Sequence, residues 1–243
     1  MAYETLGAFD APVLHGINSF AGRSRLFDGA VDYLLVNPQA TALLMAAFWA
    51  LWFTPREPAP ALVAREHLLA TLAGGIVAII LARLLALSLH FRLRPRFDPS
   101  LQFKALATSN QKALMDWSSF PSDHAAVYFA IAAGLGFVSL PLGAAAVAFV
   151  ALAICFPRVY FGYHYPTDIL AGLAIGVACA YLCNRAPLRR RLAAPLLRWE
   201  SASPPWFHAA LFFLAFQFAT MFDSIRELAL HVYHALENFR SVP

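Results

Sequence analysis

The chain has 243 residues, of which 60% are hydrophobic and 13% charged, against roughly 45 to 50% and 25% in an ordinary soluble domain. With a mean hydropathy of +0.60 and a formal charge of only +4, both a soluble globular protein and a disordered chain are excluded. The isoelectric point near 9.1 comes from basic residues beside apolar runs long enough to cross a bilayer, so that charge belongs to membrane loops and anionic lipid rather than to nucleic acid.

In chain order, residues 1–30 place Tyr3, Leu6, Phe9, Val13, Leu14, Ile17 and Phe20 at helical spacing, which predicts an amphipathic helix lying on the membrane surface. Asp10, Arg23, Arg25 and Asp28 interrupt this stretch, which argues against a cleaved signal peptide. A core over 31–222 follows, with six apolar runs at 31–53, 68–89, 123–140, 141–157, 166–183 and 205–222, each near the length of a transmembrane helix. Pro141, Pro166 and Pro205 fall in first turns, where a missing N–H costs nothing. Segment 223–243 repeats the amphipathic pattern with Ile225, Leu228, Ala229, Val232, Leu236 and Phe239. The expectation is a single all-α domain over 1–243: a polytopic six-helix membrane bundle with interfacial helices at both ends.

Cys155, Cys179 and Cys183 lie inside apolar runs without metal-ligand spacing and read as packing residues. Gly172 and Gly176 permit close helix approach without implying a dimer. Trp49, Trp52, Trp117, Trp199 and Trp206 fall near span ends as interfacial anchors, and Arg96, Lys104 and Lys112 are read as solvated anchors. Arg83 snorkels from its span to the interface. His15, His67, His90, His208, His231 and His234 have no spaced partner comparable to Asp168, and His231 with His234 reads as an interfacial polar stripe.

Alternating the spans across the bilayer brings the end of span two, the start of span three, the end of span four and the start of span five to one face. That face receives Arg92, Arg94, Arg96, Ser122, His124, Arg158, His164 and Asp168. The opposite face carries Arg185, Arg189, Arg190, Arg191 and Arg198 in one short loop. Short-loop charge weighs most in the positive-inside rule, so the reactive face is placed outside the cytoplasm.

Guanidinium forks match phosphate oxygens, and the loop from Arg92 to Lys112 has five basic residues against Asp98. Two histidines beside an anion site divide naturally into a nucleophile and a proton donor. Asp168, four residues after His164, is placed to bond its Nδ1–H and leave Nε2 free. It also stands at the start of a span, where the positive helix end favours a carboxylate.

Arg94-Pro95, Pro121-Ser122-Asp123-His124 and Arg158, His164, Asp168 together resemble the signature of the type 2 phosphatidic acid phosphatase superfamily of membrane lipid phosphatases. Pro157 stands for the serine before Arg158, Asp123 for a glycine, and Leu87 for a lysine seven residues before Arg94. The resemblance implies a phosphohistidine intermediate with no metal or other cofactor. It implies that His164 attacks phosphorus, Asp168 orients it and His124 protonates the leaving oxygen. Arg94, Arg158, the hydroxyl of Ser122 and the backbone of Asp123 would hold the phosphoryl group, with Arg92 or Arg83 in place of the lysine. The Pro-Ser-Asp-His variant is most similar to the bacitracin-resistance undecaprenyl pyrophosphate phosphatases. The expected partners are therefore a lipid pyrophosphate and the bilayer of a bacterial inner membrane. Lipid A, phosphatidic acid and phosphatidylglycerophosphate stand as other substrates, phosphotransfer as another outcome, and a non-catalytic lipid-phosphate binder as the rival class, motivated by the missing lysine. Oligomeric state is left open.

Overall fold

Backbone polar groups have no water to bond in a bilayer core, which favours helices that satisfy themselves. The computed structural model describes residues 2–54, 57–107, 115–223 and 225, and the described residues form nine helices and no strand. These are α1 (Ala2–Asn18), α2 (Arg25–Val36), α3 (Gln39–Phe53), α4 (Pro58–Ser88), α5 (Asp123–Gly136), α6 (Leu140–Tyr160), α7 (Pro166–Cys183), α8 (Ala186–Ala202) and α9 (Pro204–Ala219). Short 3-10 turns at Pro95–Phe97 and Pro99–Leu101 shape the loop after α4.

Three of these, α4, α6 and α7, are long and apolar enough to cross a membrane, and α2 with α3 makes a fourth if a 56° bend is counted as one span. The expectation of one straight helix over 31–53 is corrected here. Asn37 is extended at the end of α2, because the proline that follows disfavours helical geometry in the residue before it. Its side chain then accepts the Gln39 amide at 3.0 Å and starts α3. The run at 123–140 also ends early, at Gly136. Its 14 residues rise only about 21 Å at 1.5 Å per residue. A helix apolar on every side is one surrounded by protein, and α5 is that: Ala125, Ala126, Val127, Tyr128, Ala130, Ile131, Ala132 and Leu135 are all inaccessible to solvent.

Around α5, the partners α4 and α7 pack closest. α4 runs antiparallel to it, with Thr71 against Gly134 and Gly75 against Ile131. α7 runs parallel, because Gly172 lies on the backbone of Ser122 and Ala126, and Gly176 on that of Ala126 and Ala130. The two glycines thus serve packing within the chain. α6 contains a π-helical segment, Val150–Cys155, just before Pro157. A proline ring clashes with the carbonyl four residues back and leaves it unpaired, and a widened turn absorbs both problems.

α1 is helical as predicted, and Phe9, Val13 and Phe20 are exposed. Its other face, with Asp10 and Leu14, is buried in the protein; the side chains of Tyr3 and Leu6 lie outside the described residues. Of the C-terminal pattern only Ile225 is described; Leu228, Ala229, Val232, Leu236 and Phe239 lie outside, as do Lys112, His231 and His234. Trp52 is fully buried and packs on Phe48 and Phe207, so it is a core residue rather than an interfacial anchor, whereas Trp206 is exposed. The three cysteines are free and buried. Arg96 is not a solvated anchor: it is buried and donates to the carbonyls of Phe161 and Leu106 at 3.2 Å each, whereas Lys104 is exposed and donates to that of Ala21 at 2.7 Å.

Candidate active site

The antiparallel and parallel pairings bring the end of α4, the head of α5, the end of α6 and the head of α7 together. Ser122 caps α5 through its side-chain oxygen, which accepts the Ala125 amide at 3.4 Å, leaving its O–H as a donor. Its own amide donates to the Asp168 carbonyl at 3.1 Å, tying the heads of α5 and α7. Asp123 follows as the first residue of α5, where a backbone N–H has no acceptor within the helix.

His164 lies in the turn between α6 and α7 and is 4% exposed. Its Nδ1 is 2.8 Å from the Ser119 carbonyl oxygen and 3.6 Å from Asp168 Oδ2. The expected Asp168 bond to Nδ1 is therefore replaced by a bond to a main-chain carbonyl. A carbonyl only accepts, so Nδ1 carries the proton and Nε2 keeps its lone pair. Nε2 faces Arg94 Nη1 at 3.5 Å, and the same guanidinium nitrogen donates to the Tyr163 carbonyl at 2.7 Å. Burial pushes the His164 imidazole below the ordinary histidine value, against the opposing pull of Asp168.

Asp168 is inaccessible to solvent and occupies the first turn of α7, where its Oδ2 accepts the Tyr165 amide at 2.8 Å. Its Oδ1 accepts Arg92 Nη1 at 2.6 Å. Arg92 in turn donates to Thr167 Oγ1 at 2.9 Å and to Asp10 Oδ2 at 2.6 Å, and lies 3.8 Å above the Tyr165 ring. The structure thus places Arg92, expected as a phosphate ligand, between two carboxylates.

His124 Nδ1 is 3.0 Å from Asp123 Oδ1, which also accepts the His124 amide at 2.8 Å. Arg83 pairs with Asp123 Oδ2 and stacks 4.9 Å from the Trp117 ring. This partner turns Arg83 toward the site rather than simply toward the interface. Asp123 acts through its carboxylate as well as standing at the helix head. Arg158 is buried and donates to the Ile154 carbonyl at 2.6 Å, inside the π-helical segment. Both Arg158 and His164 lie within electrostatic range of His124. His124 and Arg158 share a cavity of about 240 Å³ with Tyr128, Asn37, Thr41 and Asp223, closed by the α2–α3 bend and the end of α9.

All eight expected residues are placed: His164, His124, Asp168, Arg94, Arg158, Ser122 and Asp123 converge, and Arg92 stands behind Asp168. Sequence reasoning missed Asp10, Thr167 and the Ser119 carbonyl. Thr167 adjoins Asp168 and was within reach of a spacing argument; Asp10 is 157 residues from Thr167, and no spacing rule connects them.

The PAP2 superfamily pattern matches residues 64–192, just over half of the chain and including all eight expected residues, with Asp10 and the cavity residues Asn37, Thr41 and Asp223 outside it. The chain is also 29% identical over 188 residues to the undecaprenyl-diphosphatase BcrC of Bacillus subtilis (strain 168), a match that covers 76% of this chain and 83% of that one. No solved structure matches. The matched region takes in the helix ends where two histidines, arginines and a buried carboxylate meet, and the chain belongs to the PAP2 superfamily.

Proposed function

We propose that this phosphatase hydrolyses undecaprenyl pyrophosphate, or a closely similar lipid pyrophosphate, through a phosphohistidine on His164. The observation that carries the reading is the tautomer: Nδ1 is fixed by the Ser119 carbonyl at 2.8 Å, so Nε2 presents a lone pair beside the Arg94 guanidinium. An anion entering there meets a cation and a nucleophile together.

In the first step His164 Nε2 bonds the terminal phosphorus and the bond from that phosphorus to the bridging oxygen breaks. The leaving lipid monophosphate takes a proton from His124, whose Nδ1–H is held by Asp123. Arg94, Arg158, the Ser122 hydroxyl and the amide of Asp123 stabilise the phosphoryl oxygens as charge develops. In the second step His124 takes a proton from water, the hydroxyl oxygen bonds phosphorus, and the P–N bond breaks to give inorganic phosphate and neutral His164.

We read the helices as six crossings, made by the bent α2–α3 pair, α4, α5, α6, α7 and α9, in a bacterial inner membrane with the site outside the cytoplasm. The alternation of α4, α5, α6 and α7 around the site supports the first point. The orientation is supported by how the basic residues are used. On the site's side Arg92, Arg94, Arg96 and Arg158 bond within the fold, with Arg23, Arg25 and Lys104 exposed, while Arg185, Arg190, Arg191 and Arg198 of the opposite side are exposed together within one stretch of 14 residues, the kind of local charge the positive-inside rule weighs most.

The test is phosphate release from undecaprenyl pyrophosphate by protein in detergent with EDTA, compared with His164→Ala. Release that persists in EDTA, disappears in the variant and passes through a phosphoenzyme stable in base and labile in acid is expected. Saturable lipid binding by folded wild type without release would replace the enzyme reading with that of a binding protein.

A further inference from the structure

We propose that Asp10, on the N-terminal helix and outside the matched family region, is a positioning residue that sets the catalytic carboxylate Asp168 through Arg92. The inference rests on the phosphohistidine reading above. Asp10 is 1% exposed and its carboxylate accepts three bonds, all from the head of α7 or from the residue that holds it. Its Oδ1 accepts the Thr167 amide at 2.9 Å, and its Oδ2 accepts the Thr167 hydroxyl at 2.6 Å and Arg92 Nη2 at 2.6 Å. The Thr167 hydroxyl accepts Arg92 Nη1 at 2.9 Å, and that same nitrogen reaches Asp168 Oδ1 at 2.6 Å.

The Thr167 amide lies in the first turn of α7 and has no acceptor inside the helix, so Asp10 caps α7 from another element and adds negative charge at its positive end. A guanidinium held from one side only can swing about its long stem. Two carboxylates on separate nitrogens, with the Tyr165 ring 3.8 Å below, leave Arg92 one position. Asp168 is then fixed by Arg92 on Oδ1 and by the Tyr165 amide on Oδ2, which sets its 3.6 Å distance from His164 Nδ1. α1 thereby becomes part of the catalytic apparatus as well as a membrane-facing helix.

A residue that only stabilises the fold and one that positions a charge are separated by the titration of His164. The charged groups facing that imidazole are Asp168, Arg94 and Asp123, with His124 nearby. Asp10→Asn leaves Asp168 neutralised by Arg92 without a competing carboxylate, so the His164 titration moves to lower pH. Arg92→Gln exposes His164 to two uncompensated carboxylates and moves it to higher pH. The expected order of midpoints is Asp10→Asn, then wild type, then Arg92→Gln.

The experiment follows the histidine side chains by NMR in detergent, with His164 assigned by its loss in His164→Ala, and measures phosphate release in parallel. Asp10→Asn is expected to lower kcat about 10- to 100-fold through misplacement of the site, with KM nearly unchanged. Folded Asp10→Asn with wild-type kcat and titration overturns the proposal, as does a fall in activity that only tracks folded fraction. Should Asp10→Asn fail to fold, the upward shift in Arg92→Gln carries the test, and its absence is equally fatal. The titration needs no turnover, so a wild type that releases no phosphate refutes the enzyme reading while the Asp10 charge relay is still decided by the midpoints.

Discussion

Gly172→Ala separates the packing of the bundle from the chemistry at its end. A Cβ at this position falls 2.5 Å from the Ser122 carbonyl oxygen, 2.6 Å from the Ala125 Cβ and 3.0 Å from the Ala126 amide nitrogen. Two of these atoms are backbone, so no rotamer change relieves them. Bringing the nearest contact to 3.0 Å requires α5 and α7 to part by 0.5 Å. Overpacking of this kind costs about 1 to 3 kcal/mol, and alanine in place of glycine in a helix returns about 1 kcal/mol, leaving a net loss of about 0 to 2 kcal/mol. The displaced atoms include the carbonyl of the residue that caps α5, two positions before His124. Since a 1 Å error can cost about 100-fold in rate, half of that predicts about a 10-fold fall in kcat. Gly136→Ala, at the other end of α5, is the control, because its Cβ meets the Gly143 Cα at 3.8 Å in ordinary contact. Thermal unfolding in detergent and kcat on the lipid pyrophosphate measure both effects. Wild-type kcat in Gly172→Ala, with stability equal to that of Gly136→Ala, would refute the close approach of α5 and α7.

The acid limb of kcat/KM is expected below the ordinary histidine value of 6.5, because burial lowers the His164 pKa. The protonated form is disfavoured in the folded state, so His164 supports the fold above its unfolded value and that support is lost as pH falls through the lower folded value. Denaturation midpoints measured from pH 7 down to pH 4 check this. Asp123→Ala is expected to lower kcat about 100-fold on substrates with a poor leaving group, within the range of general acid catalysis, and much less on an aryl phosphate whose leaving oxygen needs no proton. Arg83→Gln acts through Asp123 at a pair that is part-exposed, and a smaller loss, on the order of 10-fold at most, is expected in the same assay.

The helical class and the convergence of four helix ends were legible because apolar run lengths and their alternation depend on local composition. The start of α7 was legible from Pro166 and Asp168, and the head of α5 from Ser122. The bend between α2 and α3 carried a readable signal in Asn37-Pro38, but apolar run length alone merged the two helices. The end of α5 carried less, since Phe137 and Val138 continue its apolar run while the chain turns toward Ser139. Arg83 and Arg92 show the deeper limit. A long cation's role depends on which carboxylate its terminus reaches, and Asp123 and Asp10 are 40 and 82 residues away. Trp52 fails for the same reason: a span-end position does not disclose that α9 brings Phe207 across it.

The two histidines present Nε2 by the same device and differ in the acceptor behind them. His164 is held by a neutral carbonyl, which orients the ring without recruiting a proton to Nε2, as the nucleophile of the proposed mechanism requires. His124 is held by a carboxylate, which would support the ring while it carries the proton that the proposed mechanism delivers to the leaving oxygen. On the phosphohistidine reading, positive charge grows on His164 as Nε2 bonds phosphorus, and Asp168 at 3.6 Å from Nδ1 is the nearby anion that meets it. For that role Asp168 must stay ionised although no solvent reaches it, and a buried charge needs a partner. Arg92 is that partner on one oxygen, and the Tyr165 amide on the other. Because Arg92 would otherwise bring a full positive charge beside the phosphorylated ring, Asp10 on its far side keeps the group anionic overall, and the N-terminal helix is thereby tied to the charge on the nucleophile.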